Sequence, residues 1–351
     1  MKHFSGDSVV LTDRGCKTIR ELYNNGNYTE NDIYVIVNGN KYKCNNIESC
    51  GLLELVKVSF KNGMDIYVDP DQEFIDDKGN TINIQFIKPN SNSNINTIPS
   101  RIALNNIDLF VWDNSYGTYT EGYILALVFH NLYNFANFVS IRISKKITDH
   151  TEYYPYKLLV EYFNRKNIDL EIKKHMEGDD FIIYRFCSTY FKLLLIKLGI
   201  CENSKNFFER GSYDFTQGYL RSVFDLDAQV IIKDEHSDCI IKLIKQNVEY
   251  LKGIQRTLFN LGIPCHVDND ALIIKSLVNI YKFNFIIGFG VEDKNTQITF
   301  SKNNSQKNIT THKHHHWSYV KDIVQLNRRY ESYKIYIDGD IIAVNGILVK
   351  A

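Results

Sequence analysis

The residues best suited to chemistry by type and local spacing are the histidines of "THKHHHW", 311–317. Histidines at alternating spacing can ligate zinc or copper through imidazole nitrogens. The same run, placed where one sequence pattern gives way to another, serves as well as a flexible linker that binds metal only adventitiously, and that is the reading adopted here. Cysteines fall at 16, 44, 50, 187, 201, 239 and 265 without C-x-x-C spacing, and Cys44 and Cys50 have no histidine cluster beside them. They read as reduced thiols of an intracellular protein, not as a disulfide frame. "GFG" at 288–290 lacks the strand–turn–helix setting of a nucleotide loop. Local motifs alone name no active site, so the elements that would position one must be read next.

A chain of 351 residues with 44% hydrophobic and 13% aromatic residues can build two or three cored domains. Its 41 basic and 41 acidic residues cancel, so any affinity for nucleic acid must come from a local patch. The sequence shows no signal peptide and no apolar run of membrane-spanning length. From residue 1 to about 90, short β-type runs alternate with turn signals: "DSVVLT" with "DRG", "DIYVIV" with "NGN", "LVKVSF" with "KNG", "MDIYV" with "DPD". "SYKIYIDGDIIAVNGILV" near the other end reads the same way. The Asn/Ser run at 88–97 fits a polar connection.

The middle differs, and it repeats itself. "YKLLVEYFNRKNIDLEIKKHMEGDDFIIYRFCSTYFKLLLIKLGI" (156–200) lines up with "LKGIQRTLFNLGIPCHVDNDALIIKSLVNIYKFNFIIGF" (251–289). Each reads as an amphipathic helix, a strand pair over a turn, and a second helix. Each is preceded by an apolar segment opening on Gly-Tyr, "GYILALVFHNLYNF" at 122 and "GYLRSVFDLDAQV" at 218. The layout is a β domain split by an inserted, internally duplicated α/β domain.

With these blocks in order, the sequence resembles an intein carrying a LAGLIDADG-type homing endonuclease, over nearly the whole chain. "FSGDSVVLTDRGCKTIREL" resembles the opening intein block, "MDIYVDPDQEFIDDKGN" the second, and "YKIYIDGDIIAVNGILVKA" the closing pair. The Gly-Tyr segments resemble the two LAGLIDADG helices, and "YKFNFIIGF…K" the endonuclease's closing segment. The resemblance implies an all-β Hint (hedgehog/intein) domain formed by both chain ends, with an inserted α/β two-repeat endonuclease domain. Residues 1–112 and 328–351 would form the splicing domain. The endonuclease would occupy 113–310, with repeats at about 118–200 and 214–300, and 311–327 would be a linker. The stop at Lys350-Ala351 reads as a splice junction.

The resemblance also implies chemistry. Splicing needs a side-chain nucleophile at the first intein residue, a Thr-x-x-His that polarises the preceding amide, and a terminal His-Asn whose asparagine cyclises. Here the nucleophile position holds His3, which has neither thiol nor hydroxyl. The Thr and His positions hold Asp69 and Gln72, an often acidic position holds Lys334, and the terminal pair is Lys350-Ala351. The endonuclease needs one acid from each LAGLIDADG helix to hold divalent cations, usually Mg²⁺, which activate water. Asp227 takes one of these positions and Asn131 the other, while Asp225 reads as structural and Ala126 and Ser222 as small packing residues. Arg142, Lys145, Lys146, Lys233, Lys242 and Lys245 are candidates for contact with double-stranded DNA. The expectation is a degenerate intein-like element, monomeric and not membrane-bound, with splicing lost and nuclease activity absent or strongly reduced. Its partners would be a DNA target and flanking exteins. Two other readings stay open: an active intein in inactivated form, and a non-enzymatic DNA-binding relic.

Overall fold

The computed structural model describes residues 2–25, 32–89, 100–105, 107, 117–130, 138–144, 154–165, 173–177, 181–187, 207–232, 239–245, 247–290, 294, 298 and 317–351. The architecture is mixed α/β with large antiparallel sheets. It divides into two compact units, one of Met1–Asn114, Lys245–Lys275 and Lys307–Ala351, the other of Ser115–Ile244 and Ser276–Gln306.

In the first unit, segments from both ends of the chain share one sheet. Its axis is a ribbon of two 21-residue strands, Asn40–Phe60 and Trp317–Ile337. They run antiparallel from Val320 opposite Phe60 to Ile337 opposite Cys44, with register shifts at Val320/Asp322, Gln325/Arg329, Ser332/Tyr333 and Tyr336/Ile337. Extra residues at such shifts bend and twist a strand, so the ribbon can feed cores at its ends while its middle stays largely exposed. The short strand Phe4–Ser5 is held between neighbours, with Phe4 opposite both Tyr333 and Val68. A terminal hairpin, Ile341–Val344 with Ile347–Lys350, pairs through Val349 with Phe74. Period-2 patterning puts Phe4, Val58, Ile66, Val68, Phe74, Ile342, Val344 and Val349 in the core, all but fully buried.

The hairpin signals have a backbone cause. Asn38-Gly39 and Asn345-Gly346 each carry positive φ at both residues, 50° and 79°, then 50° and 77°. That is the type I′ turn, whose twist matches the flanking strands and which Asn-Gly tolerates best. They close Val37 onto Asn40 and Val344 onto Ile347.

The observed division differs from the expected boundaries in two places. Residues 317–327, expected within a linker, form the first half of the strand Trp317–Ile337. Its exposed middle has polar and charged side chains on both faces, so no alternation marks it as a strand. Residues 245–275, expected within 113–310, group with the terminal segments. Helix Val248–Asn260 binds there through Lys252 Nζ on Asp65 (2.6 Å) and the Gln255 amide on the Asn62 carbonyl (2.5 Å). The Val267 N–H donates to the same carbonyl at 3.0 Å. Such contacts across about two hundred residues leave no short-range trace.

The second unit is built on two helices, Tyr119–His130 and Tyr213–Asp227. Their backbones touch. A Cβ on Gly122 would lie 1.9 Å from the Phe215 carbonyl oxygen, and one on Gly218 would lie 2.0 Å from that of Tyr119. Ala126 and Ser222 are buried, at 1% and 0% exposure, but the glycines set the approach. Around this pair stand helix Tyr154–Arg165, the sheet Phe138–Ser144, Phe181–Cys187 and Lys173–Glu177, the hairpin Ala228–Ile232 with Cys239–Ile244, and helix Leu277–Ile286. The helix–strand–strand pattern expected at 156–200 is present over its described residues, and that at 251–289 runs through helix Val248–Asn260, strands His266–Asp268 and Ala271–Ile274, and helix Leu277–Ile286. No described helix is long and apolar enough to cross a membrane.

Because neither carbonyl can move without breaking a helical turn, Gly218→Ala must push the helices apart. The expected loss is about 1–3 kcal/mol of stability, typical of overpacking, read as a lower urea midpoint. An unchanged midpoint would mean the helices do not meet backbone to backbone.

Candidate functional site

The positions matched to splice-junction residues come together in the first unit. "DPDQ" forms a β-turn in which the Gln72 N–H donates to the Asp69 carbonyl at 3.1 Å, with Pro70 at the position its fixed φ favours. Strand pairing at Phe4 brings His3 alongside the start of this turn. His3 Nδ1 lies 2.6 Å from Asp69 Oδ2, the His3 backbone N–H donates to the same oxygen at 2.7 Å, and the Asp69 N–H donates to the His3 carbonyl at 3.3 Å. At the other end of the turn, the fully buried Gln72 amide donates to the carbonyls of Lys350 and Glu73, both at 2.9 Å. Lys2 also pairs with Glu73. Lys350 Nζ lies 3.7 Å from Asp340, and the Ala351 N–H donates to the Asp340 carbonyl at 2.9 Å. Lys334 stands apart, on the ribbon, its ammonium 4.5 Å above the Tyr336 ring.

This cluster has the bonds of a tie and lacks the groups of an acyl-transfer site. His3 offers no thiol or hydroxyl to attack a carbonyl. Gln72 can donate a hydrogen bond to the Lys350 carbonyl, but its amide cannot protonate a leaving amine. Ala351 has no amide to cyclise. Gln72 Oε1 is buried without a hydrogen-bond partner among the described residues, at a typical cost of about 1–3 kcal/mol.

In the second unit, Asp225 and Asp227 lie in the last turn of helix Tyr213–Asp227. That end carries the negative pole of the helix and four unsatisfied carbonyls, a poor place for anions. The compensation is Lys294, whose ammonium donates to the carbonyls of Phe224 (3.0 Å) and Asp225 (2.7 Å). Burial pulls the Lys294 ammonium below its ordinary value, against the opposing pull of the Asp225 and Asp227 carboxylates. Sequence reading has no way to give Lys294 this capping role, because nothing local links it to a helix end about seventy residues earlier. Asp225, 2% exposed, accepts from the Tyr123 hydroxyl (2.8 Å) and the Gly290 N–H (2.7 Å). Burial pushes its carboxyl up to about 6, against the lowering effect of these two donors and of Arg221 and Lys294 nearby.

Asp227 is half-buried at the helix end, and Asn131 lies outside the described residues. The resemblance implies a divalent cation at this place. Among the described residues no group of three or more His, Cys, Asp or Glu could hold a metal ion, and the Lys294 ammonium already brings positive charge to the helix end. Of the two positions the resemblance implies, only Asp227 is described, with its Oδ2 buried, and no hydrolytic step is derived through a metal.

Of the residues expected to meet DNA, Lys145, Lys146 and Lys233 lie outside the described residues. Arg142 is in strand Phe138–Ser144, opposite Ile183. Lys242 is in strand Cys239–Ile244, opposite Gln229, and shares its outer face with Ile231 and Ile244, both more than a third exposed. Lys245 follows that strand, its backbone N–H on the Asp270 carbonyl at 2.8 Å.

The raised Asp225 pKa has a signed consequence. Its folded value of about 6 lies above the ordinary carboxyl value near 4. The protonated form is therefore favoured by folding, and the contribution is fully present below pH 4 and lost as pH rises through 6. A gap of that width corresponds to about 3 kcal/mol. Asp225→Asn, which keeps the side chain's shape, should flatten this fall, and the difference between wild-type and variant stability should change sign or shrink between pH 4 and 7. Parallel profiles for the two proteins would contradict the burial of an ionisable carboxyl there.

No family model and no curated protein matches the sequence. Among solved structures, the homing endonuclease I-DmoI, in a complex with DNA and Mn, is 16% identical over 48% of this chain and 96% of its own, with a TM-score of 0.37. The gp41-1 intein is 18% identical over 25% of this chain and 64% of its own, TM-score 0.21. A DnaB intein from Synechocystis sp. PCC 6803 is 16% identical over 30% of this chain and 69% of its own, TM-score 0.23. The solved structures to which the chain is similar include a LAGLIDADG homing endonuclease and inteins, the two kinds of protein that its sequence blocks resemble.

Proposed function

We propose that this chain is an intein-like element in which a Hint-type splicing domain, built from both chain ends, is interrupted by a LAGLIDADG-type domain, and that splicing has been lost. The observation that carries the reading is the cluster at His3, Asp69, Gln72 and Lys350. Residues from opposite ends of the chain are held within hydrogen-bond reach of one turn, the alignment that joining two exteins would need, yet none supplies the reacting group. The scaffold keeps the geometry of acyl transfer after losing its chemistry.

In this reading nuclease activity is absent or strongly reduced. Asp227 is the retained acid, and Asn131, neutral and nearly isosteric with aspartate, takes the place of its twin. A divalent cation such as Mg²⁺ would be required only by a chain that still cleaves. Any remaining contact with double-stranded DNA would rest on shape and on a few cations, and would weaken steeply with salt.

The test is intact mass on the chain fused between two small reporter domains. As it stands, the fusion should show only the unspliced mass. With His3→Cys, Asp69→Thr, Gln72→His, Lys350→His and Ala351→Asn, and a cysteine placed after position 351, a ligated-reporter mass should appear. Ligation by the unaltered chain would overturn the proposal. A restored fusion that stays whole would show that the loss extends beyond the reacting groups into the scaffold.

A further inference from the structure

Helix Val248–Asn260, the strand Asp65–Val68 and the ribbon around Tyr330 enclose a cavity of about 260 Å³ in the first unit. That is near the lower end of small-molecule sites, roughly 300 Å³. Two polar atoms of its wall are buried without partners, Ser8 Oγ and Gln255 Oε1, in residues 2% and 0% exposed. The Gln255 orientation is fixed. Its NH₂ group donates to the carbonyls of Asn62 (2.5 Å) and Cys265 (3.2 Å), so turning the amide over would set oxygen against two oxygens. Gln255 Oε1, in a residue with no exposed surface, is left without a donor among the described residues.

Charge and shape narrow the ligand. The carboxylates of the wall are already answered: Asp65 by Lys252 (2.6 Å) and Lys57 (3.2 Å), Glu249 by Lys252 (3.4 Å), and Asp7 by Arg20 (2.9 Å). Arg328 is not. It donates to the Tyr330 hydroxyl, lies 4.6 Å above that ring, and forms no ion pair among the described residues. Its guanidinium has five N–H donors and suits a phosphate. Tyr330 pairs in turn with Tyr67, ring centroids 5.4 Å apart, offering aromatic surface to a planar ring.

We propose that this cavity binds a mononucleotide unit, with the phosphate on Arg328 and the base against Tyr67 and Tyr330. The unit could be a free nucleotide or one nucleotide of a single DNA strand. The proposal does not rest on the splicing reading, since none of these residues belongs to the His3–Asp69–Gln72–Lys350 cluster.

The experiment is titration calorimetry of the full chain with adenosine monophosphate, adenosine, inorganic phosphate, thymidine monophosphate and a short single-stranded oligonucleotide. Adenosine monophosphate should bind saturably, and adenosine and phosphate alone should each bind at least about tenfold more weakly. Thymidine monophosphate should bind comparably, since neither the phosphate contact nor the ring contact depends on an exocyclic amine. Arg328→Ala, an exposed position on the ribbon, should cut the affinity by about tenfold or more with circular dichroism and melting unchanged. An oligonucleotide that binds more tightly than the monophosphate and displaces it would assign the site to a DNA strand, within the same chemistry. No saturable heat with either the monophosphate or the oligonucleotide, or an affinity indifferent to Arg328→Ala, would overturn the proposal.

Discussion

Asn345 reaches across 336 residues of sequence to Val9: its side-chain oxygen accepts from the Val9 N–H at 2.8 Å, and its own N–H donates to the Val9 carbonyl at 2.8 Å. Its amide nitrogen donates to the Asp65 carbonyl at 2.9 Å. Bringing such distant segments together carries a loop-closure cost of about 5 kcal/mol from the length term alone. The ribbon of Asn40–Phe60 with Trp317–Ile337 and the core of Phe4, Val68, Phe74, Ile342 and Val349 offset it by burying what both ends contribute. The rest of the first unit depends on this closure. Without it, Phe4–Ser5 has no strand on one side, the "DPDQ" turn has no Lys350 carbonyl to bind, and the junction positions are strangers.

The same closure would let a scaffold outlast its chemistry, as the proposed function requires. Core burial and strand pairing reward every residue that keeps the ends together, whatever happens at the turn. His3 and Asp69 show the outcome. His3 bonds the Asp69 carboxyl group, and Gln72 spends its donors on the Lys350 and Glu73 carbonyls. The fit is incomplete, since Gln72 Oε1 is left buried and unpartnered. In the second unit the backbone contact at Gly122 and Gly218 joins the two central helices, and Lys294 caps the end of one of them.

Much of this was legible in the sequence because it is local. Asn38-Gly39 and Asn345-Gly346 declare their turns, and the two Gly-Tyr segments declare helices, although close packing was expected at Ala126 and Ser222 and the backbones meet at Gly122 and Gly218. The positions proposed as junction residues follow from block order, which places His3, Asp69, Gln72 and Lys350 at defined steps from recognisable turns and strands. What escaped reading is non-local. The ribbon's stretch 321–327 has no hydrophobic alternation because both its faces meet solvent. The alliance of 245–275 with the chain ends rests on Asn62 and Asp65, and the capping of a helix by Lys294 rests on charge across about seventy residues. No spacing rule reports such contacts.

The central claim is that His3, Asp69, Gln72 and Lys350 act as structural ties. A double-mutant cycle across His3→Ala and Asp69→Ala, read by urea unfolding, tests it most directly. Both side chains are largely buried, at 19% and 10% exposure, and His3→Ala keeps its backbone bond to Asp69, so the cycle isolates the imidazole. A coupling of about 1.5–3 kcal/mol, the range for a hydrogen bond to a charged group, is the predicted result. Coupling indistinguishable from zero would mean that the pair holds nothing together, and the account of the site as a tie would fail.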